Sequence, residues 1–399
     1  MKSCLRASCW VVPMISAGMC LVAVATAGQA GSLEFSKRCL MMSPNETCAI
    51  ADINRDGKPD IVAGTHWFPA PGFVPHLLRD IPVHLVEYLD NCCDLPYDVN
   101  GDGWIDVISI GFMQTELCWY ENPGREVLAT GRKWRQHVLV DTRRRHNELA
   151  ALHDFDGDGV PEVFINSWIK TDPVVVWKLF KGPKGRPAAR EIVLGTRGHG
   201  HGFAFGDLNG DGREDLLVEA GWYERPAGDP FSKLWRFHDQ PALAHPSAPC
   251  IIVDLTGDGR NDIIWGRAHA YGLFWWEQLE PRPDGRLRWK EHLIDKTWSQ
   301  PHSLAWADLD GDGQPELITG KRRRAHRGDD PGGNEPACMY YYSWDKRARR
   351  FTRHTIAAPG EGVGIGLQIA VGDLNGDGRN DIAVSGRTGT WLLINKGPP

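Results

Sequence analysis

Short apolar runs separated by acidic, glycine-containing segments fill the chain, and the alternation repeats. An apolar stretch such as FAFG or SLAWA leads into nine residues rich in Asp. A β-branched run such as LLVEAG or DIIWG follows, then an aromatic segment (WYENPG, WYERPAG, FWWEQLEP, YYYSWDK, WLLINKG). One more segment closes each unit. In four units it carries His137, His238, His292 or His354, three residues after Trp134, Trp235, Trp289 or Phe351. Runs of this length bounded by Gly, Pro and Asp read as strands, four to a unit. The four histidines recur at one strand position and read as packing residues.

The acidic nonapeptide occurs seven times: DINRDGKPD from Asp52, DVNGDGWID from Asp98, DFDGDGVPE from Asp154, DLNGDGRED from Asp207, DLTGDGRND from Asp254, DLDGDGQPE from Asp308 and DLNGDGRND from Asp373. The starts lie 46 to 65 residues apart, a spacing that suits propeller blades. The chain ends after the third strand of unit seven, WLLIN, and has an orphan fourth-type strand, LEFSKRCLM, near its start. The prediction is an all-β, seven-bladed β-propeller over residues 31–399, four strands per blade. Residues 34–41 complete the blade that contains 391–395, which removes two exposed sheet edges.

Composition adds compartment and partners. Lys2 and Arg6, the apolar run Trp10–Ala25 and the small-residue site Ala25-Thr26-Ala27 read as a signal peptide over residues 1–27. The mature chain is then expected to be secreted or periplasmic, with no later segment for membrane insertion. The net charge of −6, or −8 without Lys2 and Arg6, argues against nucleic acid and anionic membranes as partners. Seven cysteines follow the leader; Cys39 and Cys48 suit a bridge in an oxidising compartment, and no CxxC pair suggests zinc or redox work.

Each nonapeptide places oxygen side chains at positions 1, 3, 5 and 9 with Gly at 6, a spacing that wraps a hard cation. The candidate metal ligands are Asp52, Asn54, Asp56 and Asp60; Asp98, Asn100, Asp102 and Asp106; Asp154, Asp156, Asp158 and Glu162; Asp207, Asn209, Asp211 and Asp215; Asp254, Asp258 and Asp262; Asp308, Asp310, Asp312 and Glu316; Asp373, Asn375, Asp377 and Asp381. Three or four carboxylates per loop repel one another without a cation, so structural Ca2+ is expected in several loops. Arg55 in loop 1 and Thr256 in loop 5 weaken those two. The alternative is an Asx-rich turn without metal.

The units resemble FG-GAP/VCBS repeats of the integrin-α-like kind across the whole mature chain. WSQPHSLAWADLDGDG (298–313), TGKRRRAHRGDDPG (319–332) and GIGLQIAVGDLNGDG (364–378) also resemble the propellers of aldos-2-ulose dehydratases and of L-rhamnose-α-1,4-D-glucuronate lyases. The latter resemblance implies β-elimination at a uronate, with a calcium ion in or near the site.

The repeat also locates a site without the family. Six residues before each loop stand Glu46, Cys92, Glu148, His201, Ala248, His302 and Leu367. These positions surround the channel mouth at the end opposite the loops, and four of the seven can bind protons or metal. A second ring, one residue past the Gly ending each second strand, holds Thr65, Phe112, Trp222, Arg267, Lys321 and Arg387, with Trp168 in unit three. Arg267, Lys321 and Arg387 form a cationic arc suited to an anionic ligand, which Arg322, Arg323 and His326 extend.

The catalytic candidates are His201, His302 and His199 as bases, with Lys321, Arg267 and Arg387 as carboxylate partners. Trp67, Trp222, Tyr223, His269, Arg322 and His326 are substrate-binding candidates. The expected activity is a secreted calcium-binding lyase acting on an acidic glycan or small anionic sugar. The alternative is a non-catalytic propeller that binds a glycan or protein.

Overall fold

The computed structural model describes residues 32–84 and 87–399. The leader expected over residues 1–27 lies outside them. The described chain forms seven four-stranded antiparallel sheets and one two-stranded hairpin, Val83–His84 with Tyr88–Leu89. No helix among these residues is long and apolar enough to cross a membrane.

The seven sheets are the blades, each with its strands in chain order from the axis outward. Their innermost strands are Ala49–Ala51, Leu95–Tyr97, Asn147–His153, Phe203–Gly206, Ile251–Val253, Pro301–Ala307 and Ile369–Gly372. Every acidic loop joins the innermost strand to the second. Blade 7 is completed by Phe35–Met41, paired antiparallel to the third strand from Phe35 opposite Asn395 to Met41 opposite Thr390. The seven-bladed, four-stranded ring closed by its N-terminal strand is therefore as expected.

The second strands are unbroken apolar runs because a neighbouring blade covers each face. Ile61, Val62 and Ala63 are wholly buried, as are Leu216, Leu217 and Val218. Apolar cores fill the spaces between adjacent blades, including one between blades 7 and 1 that joins Ile61 and Phe68 to Ala383 and Leu392. The recurring histidines serve this packing. His137, His238, His292 and His354 stack on Trp119, Trp222, Trp275 and Tyr341 at 4.1–4.5 Å. Their Nε2 atoms bond Glu121, Glu224, Glu277 and Ser343.

The acid at loop position 9 opens the second strand and staples the blade. In loop 1, Asp60 accepts from the amides of Ile53 (3.0 Å) and, through its other oxygen, Ala70 (2.8 Å). Asp106, Asp215, Asp262 and Asp381 repeat both bonds. The glycine at position 6 has φ between 82° and 87° in all seven loops, a region that penalises any Cβ.

Cys39 and Cys48 are unbridged. Cys39 lies on the outermost strand of blade 7, while Cys48 precedes the innermost strand of blade 1 with its thiol 3.1 Å from the Ala383 carbonyl.

Removing residues 32–41 leaves Gly389–Asn395 as a bare edge and strips Leu33 and Phe35 from the core between blades 6 and 7. The truncated chain is expected to aggregate on size-exclusion chromatography. A monodisperse product with wild-type melting would overturn the closure.

Candidate functional site

The ring of residues six before each loop is brought together at one end of the channel. Cys92, Ala248 and Leu367 share an apolar cluster, and the four polar members converge beside it. Glu148 Oε1 lies 3.0 Å from His302 Nε2 and 3.3 Å from His201 Nε2, and the two Nε2 atoms are 3.1 Å apart. Both imidazoles are completely buried. Glu46 makes a two-pronged pair with Arg322, at 2.9 and 2.7 Å, and Arg322 Nη1 reaches Glu148 at 3.6 Å.

Backbone geometry holds His201 in place. Its Nδ1 donates to the Pro246 carbonyl at 2.6 Å, which turns Nε2 toward Glu148 and His302. Gly202, at φ 83°, lets Pro246 and Ser247 approach; a Cβ there would lie 2.6 Å from both carbonyl oxygens.

A second group lies against the first. Asp330 bonds His269 Nδ1 and His326 Nδ1, each at 3.1 Å, and the two imidazoles stack at 4.6 Å. His201, His269 and His302 offer ligand atoms within 4.8 Å of one another, as do His269, His326 and Asp330. Trp168 flanks His201, His269 and His326 at 5.6–6.0 Å. His326 is the open end, with 39% of its side chain exposed. His269 Nε2 and His302 Nδ1 are buried with no partner in the chain.

The charges follow from burial and neighbours. Burial, with Arg322 beside it, pushes His302 well below the ordinary imidazole range, and burial brings His269 to about 4 despite Asp330. Against its own burial, Glu148 is held well below the usual carboxylate range by His201 and His302. The centre thus sets an ionised carboxylate beside His302 and His269, the two imidazoles that burial holds low.

Other candidates lie elsewhere. Lys321 is buried with Nζ on Ser299 Oγ and 4.0 Å from Glu335. Arg387 is bound by Glu87, both through its carboxylate (3.0 Å) and its carbonyl (2.9 Å). Arg267 is exposed and lies over the Phe274 ring. Two of the three cations in the arc are therefore engaged by the chain. Arg267 and Arg323 form no ion pair among the described residues, and Arg323 Nε is buried without a partner.

Trp67, Trp222 and Tyr223 are 3%, 3% and 1% exposed and belong to the inter-blade cores. Trp222 was placed in the second ring because Gly221 resembles the glycine ending a second strand. Blade 4 instead turns early: its second strand ends at Val218, and Gly221 already opens the third. His199 lies apart from the centre, its Nε2 on the Pro173 carbonyl at 3.1 Å.

Asp330 escaped the sequence reading. It lies in the stretch between second and third strands of blade 6, Lys321 to Met339, and that length was itself a functional signal.

His199 gives a pH prediction. Burial lowers it to about 4, so below pH 6.5 the unfolded chain binds a proton that the folded chain refuses. Its stabilising contribution is lost as pH falls from about 6.5 to about 4, by about 1.4 kcal/mol per pKa unit. Urea titrations at pH 7 and 5 should show a smaller loss in His199→Gln than in the wild type; equal losses would overturn this.

The loops divide by their ninth residue. Where it is Asp, both carboxylate oxygens are taken by backbone amides. Where it is Glu, the longer side chain reaches back into the loop, and Asp154, Asp156 and Glu162, or Asp308, Asp310 and Glu316, each bring three ligand oxygens within 4.8 Å. In loop 6 burial and the charges of Asp310, Asp312 and Asp308 push Glu316 up to about 7, as burial does to Asp106, Asp215 and Asp262 in loops that end in Asp. Loops 4, 5 and 7 pair their fifth residue with a local Arg: Arg213 with Asp211, Arg260 with Asp258 and Arg379 with Asp377.

FG-GAP-like repeat sequences match residues 98–165, 154–218 and 254–319, and an FG-GAP repeat matches 365–390. The matched segments take in more than half of the chain, each spanning acidic loop and second strand. The chain belongs to the FG-GAP repeat family. No curated protein matches this FG-GAP propeller. Among solved structures it is similar to the V. cholerae biofilm matrix protein Bap1, at 12% identity and TM-score 0.41 over 92% of this chain and 83% of that one. A likeness that distant says nothing of function.

Proposed function

We propose that this FG-GAP propeller is a secreted, calcium-binding lyase that cleaves a uronate-containing glycan by β-elimination at the channel mouth. The observation that carries the reading is the meeting of Glu148, His201 and His302 beneath His269, Asp330 and His326. Burying several imidazoles opposes folding, and a surface that only holds sugar does not need them. Elimination needs a base near neutrality and a cation on the carboxylate that acidifies the adjacent C–H.

The residues divide between those tasks by exposure. His326 is open to a substrate, and Asp330 fixes its Nδ1, leaving Nε2 to take the proton. Arg323 and Arg267 are the cations left for a carboxylate. Glu148, His201 and His302 form the floor; His201, His269 and His302 bring ligand atoms within 4.8 Å of one another and would hold a divalent ion, which would supply positive charge beside the reacting carboxylate.

The test is absorbance at 235 nm, the mark of an unsaturated uronate, on incubation with a panel of acidic glycans. A steady rise supports the lyase. No rise, with binding still measured by calorimetry, would replace it with the binding-module reading, which FG-GAP membership supports.

Calcium belongs first to loop 6, where Asp308, Asp310 and Glu316 would hold it. EDTA at low salt is expected to lower the melting temperature because a ion bound only by the folded chain stabilises it. Asp310→Asn should lose most of that EDTA sensitivity. Identical melting with and without chelator would make the loops plain turns.

A further inference from the structure

We infer that the acidic loop of blade 3 carries its own cation, the Lys178 ammonium, in the place that a divalent ion would take in an FG-GAP loop. Nζ lies 2.6 Å from Asp156 Oδ2, 2.8 Å from Asp158 Oδ2 and 2.8 Å from Glu162 Oε1. These are positions 3, 5 and 9 of the loop, the oxygens that calcium would use. An ammonium has three donors, and all three are spent here on carboxylates.

Strand register puts the lysine there. Lys178 is directly opposite Glu162 on the third strand, so both side chains share one face at the loop end of the blade. Continuing each register by one residue, the equivalent positions are Pro69, Glu121, Glu224, Glu277, Ser343 and Ile394. None of these is basic. In loop 6, the other loop that ends in Glu, the position is Ser343, which bonds His354, and no basic side chain pairs with Asp308, Asp310 or Glu316 among the described residues. The two Glu-ended loops thus have the same converging oxygens and opposite charge states: one closed by a tethered cation, the other open to a free one.

The side chain of Lys178 is 15% exposed, so the ion cluster is screened less than a surface pair. Its Nζ lies over the ring of Phe231 of blade 4, 5.6 Å from the ring centre. Displacing Lys178 would require breaking three charge-assisted bonds at once and giving up the contact of Nζ with that ring. Loop 3 is therefore a calcium-independent clamp. It directly follows Asn147–His153, the strand that carries Glu148 to the centre, so chelation leaves that strand's anchor intact.

Calcium stoichiometry by isothermal titration calorimetry, with melting in EDTA and in calcium, tests this on the full chain. Lys178→Met should take one more calcium ion per chain than the wild type, melt lower in EDTA and recover in calcium. Unchanged stoichiometry in Lys178→Met would overturn the inference. Asp156→Asn in the wild-type background provides the second arm and needs no vacated loop. It should bind as many ions as the wild type; the loss of one ion would show that calcium displaces Lys178 and would overturn the proposal. Neither arm depends on the lyase reading, whose failure shows only in the 235 nm assay.

Discussion

His302→Ala is expected to lower kcat on a uronate glycan by about 10²-fold or more, the scale of losing a group that handles protons or developing charge. His302 Nε2 lies 3.0 Å from Glu148 and 3.1 Å from His201 Nε2, so its removal leaves a fully buried carboxylate short of one partner. Because the residue is wholly buried in the floor, KM should move less than kcat. The alanine variant also leaves a cavity, so folding must be separated from chemistry. His302→Gln keeps an amide within reach of Glu148 and should recover most of the melting temperature but not the turnover. Wild-type turnover in either variant would show that His302 takes no part in the chemistry.

Arg322→Met is expected to destabilise the fold by about 3–5 kcal/mol, the cost of breaking a buried ion pair from one side. The guanidinium is 9% exposed and Glu46 5%, so solvent does little to screen the charge left behind. The pair ties the long loop of blade 6 to the start of blade 1 past blade 7, and Glu148 loses its neighbouring cation as well. Urea unfolding measures the loss. Adding Glu46→Gln to Arg322→Met should recover a large part of it, because the orphaned charge is then gone. A loss below about 1 kcal/mol, the range of surface pairs, would mean that water reaches the pair.

The ring geometry was legible because a propeller repeats. Seven loops in phase give the blade number, and counting six residues back from each gives a common height around the axis. That count named Glu148, His201 and His302, whose side-chain atoms meet within 3.3 Å. The second ring was harder to read. Counting forward from a loop crosses a turn whose length differs between blades, and in blade 4 the early turn carried Trp222 into the core.

The local pattern of apolar runs and acidic turns determined the blades, the closing strand and the positions nearest the axis, because each depends on spacing along one chain segment. Only the tertiary structure decided which charges are free. Lys321, Arg387 and Arg322 look alike as basic residues in sequence, yet their partners Ser299, Glu87 and Glu46 come from other blades or the inserted hairpin. Lys178 is the same case in miniature: it reads as one more lysine in an aromatic strand, and only antiparallel register sets its ammonium among the oxygens of Asp156, Asp158 and Glu162. Charge neutralisation is a through-space property, set by residues distant in sequence that the ring brings to one point.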